Sequence, residues 1–218
     1  METPVFWIAS LSGLAVAYLF GATPTGYLAG RWLKGIDLRD EGSGSTGATN
    51  VLRNLGLAPF VVVLLIDVLK GAAAILFALW FYPWLYAALA PPAVDVRALA
   101  PWAVCLAGLA ALIGHSRSIW LGFKGGKSVA AGLGVLLAMA WPVGIGGLAV
   151  FGVAVAISRR ISLGSILAAV TAIVLICVLQ QPLAYRLLIV AGGLYVIVLH
   201  RANIGRLLAG TEPRVGRT

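Results

Sequence analysis

The sequence predicts an all-α integral membrane protein, a compact bundle of seven transmembrane helices with its N-terminus outside and its C-terminus in the cytoplasm. Three observations carry that prediction. Of 218 residues 61% are hydrophobic and 11% charged, and the mean hydropathy is +1.01, whereas a soluble domain carries about a quarter charged residues. Uncharged runs long enough to cross about 30 Å of hydrocarbon recur along the chain. The basic residues gather in alternate loops, which orients the runs.

The first run, Thr3 to Gly30, holds no charged residue. It follows Met1-Glu2, which lacks the basic region of a cleavable signal, so it reads as a retained anchor with a helix near Pro4 to Leu28. Further helices are expected near Leu57 to Phe81, Ala98 to Gly114, Leu163 to Leu179 and Leu183 to Leu199. The stretch Ser128 to Ser158 is either one helix of about 46 Å or two short ones broken at Trp141-Pro142. Charge decides between them. With two helices, one side receives Arg31, Lys34, Arg39, Arg53, Arg117, Lys124, Lys127, Arg159, Arg160, Arg201, Arg206, Arg214 and Arg217. The other receives Arg97 and a snorkelling Arg186, with Lys70 inside a span. A single long helix would divide the loop charges evenly. The positive-inside rule therefore selects seven crossings.

Residues 1–218 read as a single membrane-embedded domain with no internal repeat. The net charge of +9 comes from cations set between apolar spans, which fits anionic lipid and a phosphate substrate rather than nucleic acid. Cys105 and Cys177 each sit within an apolar run and are expected as small core residues, with no disulfide framework and no zinc site.

Three glycine-rich, basic segments interrupt the apolar chain: Gly42 to Arg53, Gly114 to Ser128 and His200 to Arg206. The first contains Gly42, Gly44 and Gly47 at dinucleotide-fingerprint spacing, with Asp67 twenty residues after Gly47. No buried strand precedes it and Asp67 falls in a membrane helix, so the fingerprint reading fails. Its physical content remains: glycines expose backbone N–H groups, Ser43, Ser45, Thr46 and Thr49 add hydroxyls, and Arg53 offers a bidentate phosphate contact.

The second segment approaches a P-loop at Lys127-Ser128, but the spacing is one residue short and no strand precedes it. Lys124 and Lys127 flanking Gly125-Gly126 still form a clamp suited to a polyanion. In the third, His200 ends the last helix, and Asn203 and Arg206 follow at spacings that share a face if the helix continues. Asp67 and Lys70 lie about 15 Å into the second span, where they should pair and face the bundle interior. His115, at the end of the third span, reads as structural. Neither histidine precedes an aspartate at His-x4-Asp spacing, and no Ser-His-Asp order or metal-ligand cluster stands out.

Together and in order, the three segments resemble the signature motifs of the acyl-phosphate-dependent glycerol-3-phosphate acyltransferases, the PlsY family of bacterial membranes, over nearly the whole chain. The resemblance implies transfer of a fatty acyl group from acyl phosphate to glycerol 3-phosphate, giving lysophosphatidic acid and phosphate without a cofactor, at the cytoplasmic face of the bacterial inner membrane. It implies that Ser43, Arg53, Lys124, His200 and Asn203 contact the phosphate-bearing substrates. Gly42, Gly44, Gly47, Thr49, Asn50, Gly125, Gly126 and Lys127 would then shape or line the binding nest. Asp67, Lys70 and His115 would support the site from behind. Ser45-Thr46, Ser118 and Ala131 depart from residues common in the family. An acyl phosphate carries its own leaving group, so orientation and charge stabilisation suffice without a side-chain nucleophile. The donor phosphate is the expected proton acceptor, with His200 as its competitor. The rival reading is an anion or lipid transporter built on glycine loops, which lacks support from any duplicated halves.

Overall fold

The computed structural model describes residues 2–216, with side chains from Pro4 onward; Met1 and Arg217, both weighed above, lie outside the described residues. The described chain is helical: α1 (Glu2–Ala22), α2 (Thr25–Lys34), α3 (Ala48–Leu55), α4 (Leu57–Leu89), α5 (Val96–Ser116), α6 (Val129–Met139), α7 (Trp141–Ser158), α8 (Ile161–Val178), α9 (Leu183–Leu199) and α10 (Arg201–Leu208). Five helical runs are long and apolar enough to cross a membrane, with α1 and α2 counted as one, and six if α9 and α10 form one span bent by 58°. The protein is therefore a multi-pass integral membrane protein. At 11 residues, α6 reaches only about 16 Å.

Helix boundaries differ from expectation where local chemistry intervenes. The first span breaks at Thr23-Pro24 and resumes to Lys34, because proline has no N–H for the helical ladder. At the break the Thr23 carbonyl accepts from both the Thr25 N–H at 3.1 Å and Lys70 Nζ at 2.8 Å. α4 runs eight residues beyond Phe81, carrying Pro83 and an exposed ladder in which Trp80 and Trp84 stack at 6.3 Å. The break before Trp141-Pro142 is present, with Ala140 non-helical and Pro142 in the first turn of α7, where the missing N–H costs nothing.

Two compact units divide at Ala138–Met139. In the first, α1 packs against α4 and α5, and the contact with α5 is reciprocal. A methyl group at Gly21 would overlap the Ala111 carbonyl, and one at Gly114 the Tyr18 carbonyl. α4 and α6 meet in the same way, Gly71 against Ala131 and Gly134 against Val68. Lipid offers helices no hydrophobic reason to associate, so backbone approach through small residues supplies the packing. In the second unit, α8 packs between α7 and α9. Cys105 is buried as expected, whereas Cys177 lies on an exposed face of α8.

Gly21→Leu should force α1 off α5 and lower stability by about 1–3 kcal/mol. A fall in melting temperature of the detergent-solubilised variant, with Gly152→Ala on α7, where a Cβ meets nothing within 4 Å, as the comparison, checks this expectation. An unchanged melting point would contradict the close approach.

Candidate functional site

The first glycine-rich segment is held in shape by one side chain. Asn50, buried in α3, donates its amide to the carbonyls of Leu38 and Glu41 at 3.0 and 2.9 Å, and its oxygen accepts from the Ser43 N–H at 3.1 Å. Gly42 and Gly44 take positive φ of 56° and 65° in the turn that Asn50 braces, a conformation that costs glycine little. Asn50 thus shapes the loop from within. Ser43 and Arg53, in contrast, are exposed, as side chains that meet a ligand must be.

Arg39 joins this loop to the second segment, a role the sequence reading did not give it. Its guanidinium grips Asp37 through Nε and Nη2, the shortest contact being 2.6 Å, lies over the Tyr27 ring, and reaches the Leu121 carbonyl at 3.3 Å. The hydrogen bonds from Arg39 hold the Asp37 carboxyl down at about 2. The Asp-x-Arg spacing was the available signal, obscured because Arg39 also serves as an orientation charge.

The second segment is pinned at both ends. Ser118 Oγ donates to the Ala22 carbonyl and Tyr18 Oη to the Arg117 carbonyl, both at 2.6 Å. Ser128 Oγ donates to Leu112 at 2.7 Å. The unusual Ser118 therefore has a definite use. Between these pins, Ser118 and Lys124 pair as a short antiparallel bridge, and the Gly126 N–H donates to the His115 carbonyl at 3.0 Å. Gly126 packs so tightly on the His115 ring that any side chain there would overlap it. Lys124 is exposed, Lys127 and Gly125 are partly exposed, and Gly126 is in contact with the first segment: a Cβ at Gly47 would lie 3.8 Å from its Cα. Two stretches separated by the two spans α4 and α5 are thereby brought together, with Ser43, Arg53 and Lys124 left exposed on them. Ala131 is buried against Gly71, a packing position rather than a donor.

Behind the two loops lies the charged cluster. Lys70 Nζ is 2.8 Å from Asp67 Oδ1, Thr25 Oγ1 donates to the same oxygen at 2.5 Å, and His115 Nδ1 stands 3.7 Å away. Asp67 and Lys70 are 1% and 7% exposed, which meets the expectation of a paired, inward-facing couple. Among the described residues Asp67 Oδ2 and His115 Nδ1 have no hydrogen-bond partner.

The third segment belongs to the second unit and is described within it. The helix bends at His200 and continues as α10. His200 is buried with Nδ1 2.8 Å from the Val196 carbonyl; a carbonyl only accepts, so Nδ1 is the donor. Asn203 Nδ2 and Arg206 Nε both donate to Glu212 at 2.7 Å, one to each carboxylate oxygen. The sequence reading missed Glu212; it lies past the helix end, and only folding of the tail onto α10 reveals it. The tail is fastened further by the Val215 N–H on the Arg159 carbonyl at 2.7 Å.

Burial would raise the Glu212 pKa, but donation from Asn203 and Arg206 outweighs it and holds the carboxyl below its ordinary value. No group of three or more His, Cys, Asp or Glu side chains is placed to hold a metal among the described residues.

Comparisons with known proteins converge. The family model described as glycerol-3-phosphate acyltransferase matches residues 11–210. A Rhizobium johnstonii protein named glycerol-3-phosphate acyltransferase 2 is 66% identical, the match covering 98% of this chain and 99% of that protein. A glycerol-3-phosphate acyltransferase from Nostoc sp. is 56% identical over 97% and 95% of the two chains. The crystal structure of PlsY, an integral membrane glycerol 3-phosphate acyltransferase, in its glycerol 3-phosphate form is similar with a TM-score of 0.81 at 36% identity, covering 95% of this chain and 96% of that one. Its lysophosphatidic acid form gives 0.78 at 35% identity, covering 95% of each chain. The chain belongs to the glycerol-3-phosphate acyltransferase family.

Because its folded-state pKa is depressed, Glu212 contributes stability fully above the ordinary carboxylate range and loses that contribution as pH falls through the lowered value. Glu212→Gln should cost about 1–3 kcal/mol at neutral pH and flatten the fall of melting temperature on acidification. Parallel pH–melting curves for variant and wild type would contradict the assignment.

Proposed function

We propose that this protein is a glycerol-3-phosphate acyltransferase that takes its acyl group from acyl phosphate and passes it directly to glycerol 3-phosphate, giving lysophosphatidic acid and inorganic phosphate. The observation that carries the reading is the contact of Gly47 with Gly126, which unites two cation-bearing glycine loops on a set of apolar helices. A phosphate fits the exposed glycine-rich loop surface that carries the Arg53 and Lys124 cations. An acyl chain fits the exposed apolar helix surface beside it. Relatives named for the same activity along nearly the whole chain support the reading, as do solved PlsY structures in glycerol 3-phosphate and lysophosphatidic acid forms.

In the proposed reaction a glycerol hydroxyl oxygen attacks the acyl carbonyl carbon, the bond from that carbon to the phosphate oxygen breaks, and phosphate departs with the electron pair. The hydroxyl proton passes to the phosphate of the donor, with His200 as the competing acceptor. Arg53 and Lys124 stabilise the charge that builds on the leaving phosphate, and Ser43 adds a hydrogen bond. Asn203 belongs to the substrate set, and its nitrogen also donates to Glu212. Gly42, Gly44, Gly47, Thr49, Asn50, Gly125, Gly126 and Lys127 give the nest its shape.

The reading extends to topology: seven crossings with α6 as a short fourth one, N-terminus outside, C-terminus and all three segments in the cytoplasm of a bacterial inner membrane. Supporting it, the basic residues of the described loops then fall on the inner side, apart from Arg97 and the snorkelling Arg186. Residues 1–218 act as one acyltransferase domain, since the family match runs through both units.

Purified protein given glycerol 3-phosphate and acyl phosphate, acyl-CoA or acyl-carrier protein in turn should form lysophosphatidic acid from acyl phosphate. Lys124→Ala should lower kcat/KM by about 10²-fold or more, whereas His200→Ala should retain measurable turnover. Full activity of the Lys124 variant would remove the clamp, and complete loss with His200→Ala would make the histidine the obligate base. Anion flux into proteoliposomes without product formation would instead select the transporter reading.

A further inference from the structure

The buried couple Asp67–Lys70 does more than neutralise itself. Asp67 lies on α4, yet through one carboxylate oxygen it meets Thr25 at the start of α2 and faces His115 at the end of α5. The end of α5 is where the chain departs for the second glycine segment, whereas the start of α2 meets the first segment across space. Each contact is passed on. Gly26, next to Thr25, lies against the Thr46 carbonyl so closely that a Cβ would overlap it. His115 lies under Gly126 in the same manner. Thr46 adjoins Gly47, and Gly47 meets Gly126. The contacts therefore close a ring: Asp67, Thr25-Gly26, Thr46-Gly47, Gly126, His115 and back to Asp67. Lys70 fixes the ring to the break in the first span through the Thr23 carbonyl.

We propose that Asp67 is a positioning residue for acyl transfer, setting the relative placement of the two glycine loops through Thr25 on one arm and His115 on the other. The proposal rests on the function proposed above and adds to it a cause for the nest's geometry. Nothing in ion pairing alone demands this arrangement. A pair needed only for its own neutrality would be satisfied by Lys70, whereas here the same oxygen also receives the Thr25 hydroxyl. The small polar space beneath the loops is bounded by Thr25, Thr46, Lys70, His115 and Ser118, so each arm of the ring lines one hollow and a shift in any arm displaces the others. Tight backbone contacts transmit such a shift without slack, because a packed interface has no compliant side chain to absorb it. Misplacing reacting groups by about 1 Å costs on the order of 10²-fold in rate.

The test uses the full-length protein in detergent, with saturating acyl phosphate and varied glycerol 3-phosphate. Asp67→Leu/Lys70→Met replaces the pair with apolar side chains of similar volume, an exchange that commonly leaves folding intact. The double variant should melt near the wild-type temperature while kcat/KM falls by about 100-fold. Thr25→Val removes one hydroxyl from one arm and should raise the KM for glycerol 3-phosphate by about tenfold, with Thr25→Ser restoring it. A folded double variant with kcat/KM within about threefold of wild type overturns the proposal. So does Thr25→Val with unaltered KM and kcat, a measurement that decides the matter if the double variant does not fold. Failure of the wild-type protein to form lysophosphatidic acid with any donor overturns the proposed function, and this proposal with it.

Discussion

A carboxylate and an ammonium inside an apolar span have to be satisfied by other helices, and that requirement organises the first unit. Burying a lone charge in hydrocarbon is costly enough that the partner must be present and well placed. Asp67 and Lys70 answer each other at 2.8 Å, but their remaining hydrogen-bonding capacity reaches across to the broken first span, at the Thr23 carbonyl and the Thr25 hydroxyl. The break itself is what makes those groups available. Pro24 interrupts the helical ladder, and at the break the Lys70 ammonium donates to the Thr23 carbonyl beside the Thr25 N–H.

The same unit shows how a membrane protein builds a rigid polar surface from weakly polar material. Helices α1, α4, α5 and α6 approach through glycines whose missing side chains bring carbonyls into direct contact, as is usual where lipid competes equally for apolar side chains. Rigid helix ends then hold rigid loops. The first loop is braced internally by Asn50 and externally by Arg39, the second by Ser118, Ser128 and Tyr18. The loops consume their structural side chains within the protein and leave Ser43, Arg53 and Lys124 facing outward. A nest organised before the ligand arrives has less to reorganise during reaction, which is the condition under which charged donors stabilise a leaving phosphate most.

In the second unit the corresponding device is Glu212. One buried carboxylate joins Asn203 and Arg206 on consecutive turns of α10 and folds the tail back over the helix. The bend at His200 turns the helix by 58° and leaves one imidazole nitrogen tied to the Val196 carbonyl. Charge-assisted hydrogen bonds of this kind are stronger than neutral ones. They make α10 a fixed support for His200 and Asn203 rather than a loose amphipathic tail.

The helical class, the membrane location, the three polar segments and the pairing of Asp67 with Lys70 were all legible in the sequence. Each depends on a local property: length of an uncharged run, glycine density, or the spacing of two charges along one helix. Boundaries were less legible where a distant group intervened, as at Thr23-Pro24, whose Thr23 carbonyl accepts from Lys70 on α4, and at the far end of α4, where the helix continues through Pro83. Cys177 looked like a core residue because composition cannot tell a lipid-facing from a protein-facing position in an apolar helix. Arg39, Thr25 and Glu212 took on their roles only through partners remote in the chain or beyond a helix end. Sequence by itself determined which chemistry the protein carries, since residue types and short-range spacing are written in the chain. Tertiary structure alone decided that Gly47 meets Gly126 and that Asp67 reaches both the start of α2 and the end of α5, because contacts across whole spans are set by how closely glycine-bearing helices can approach.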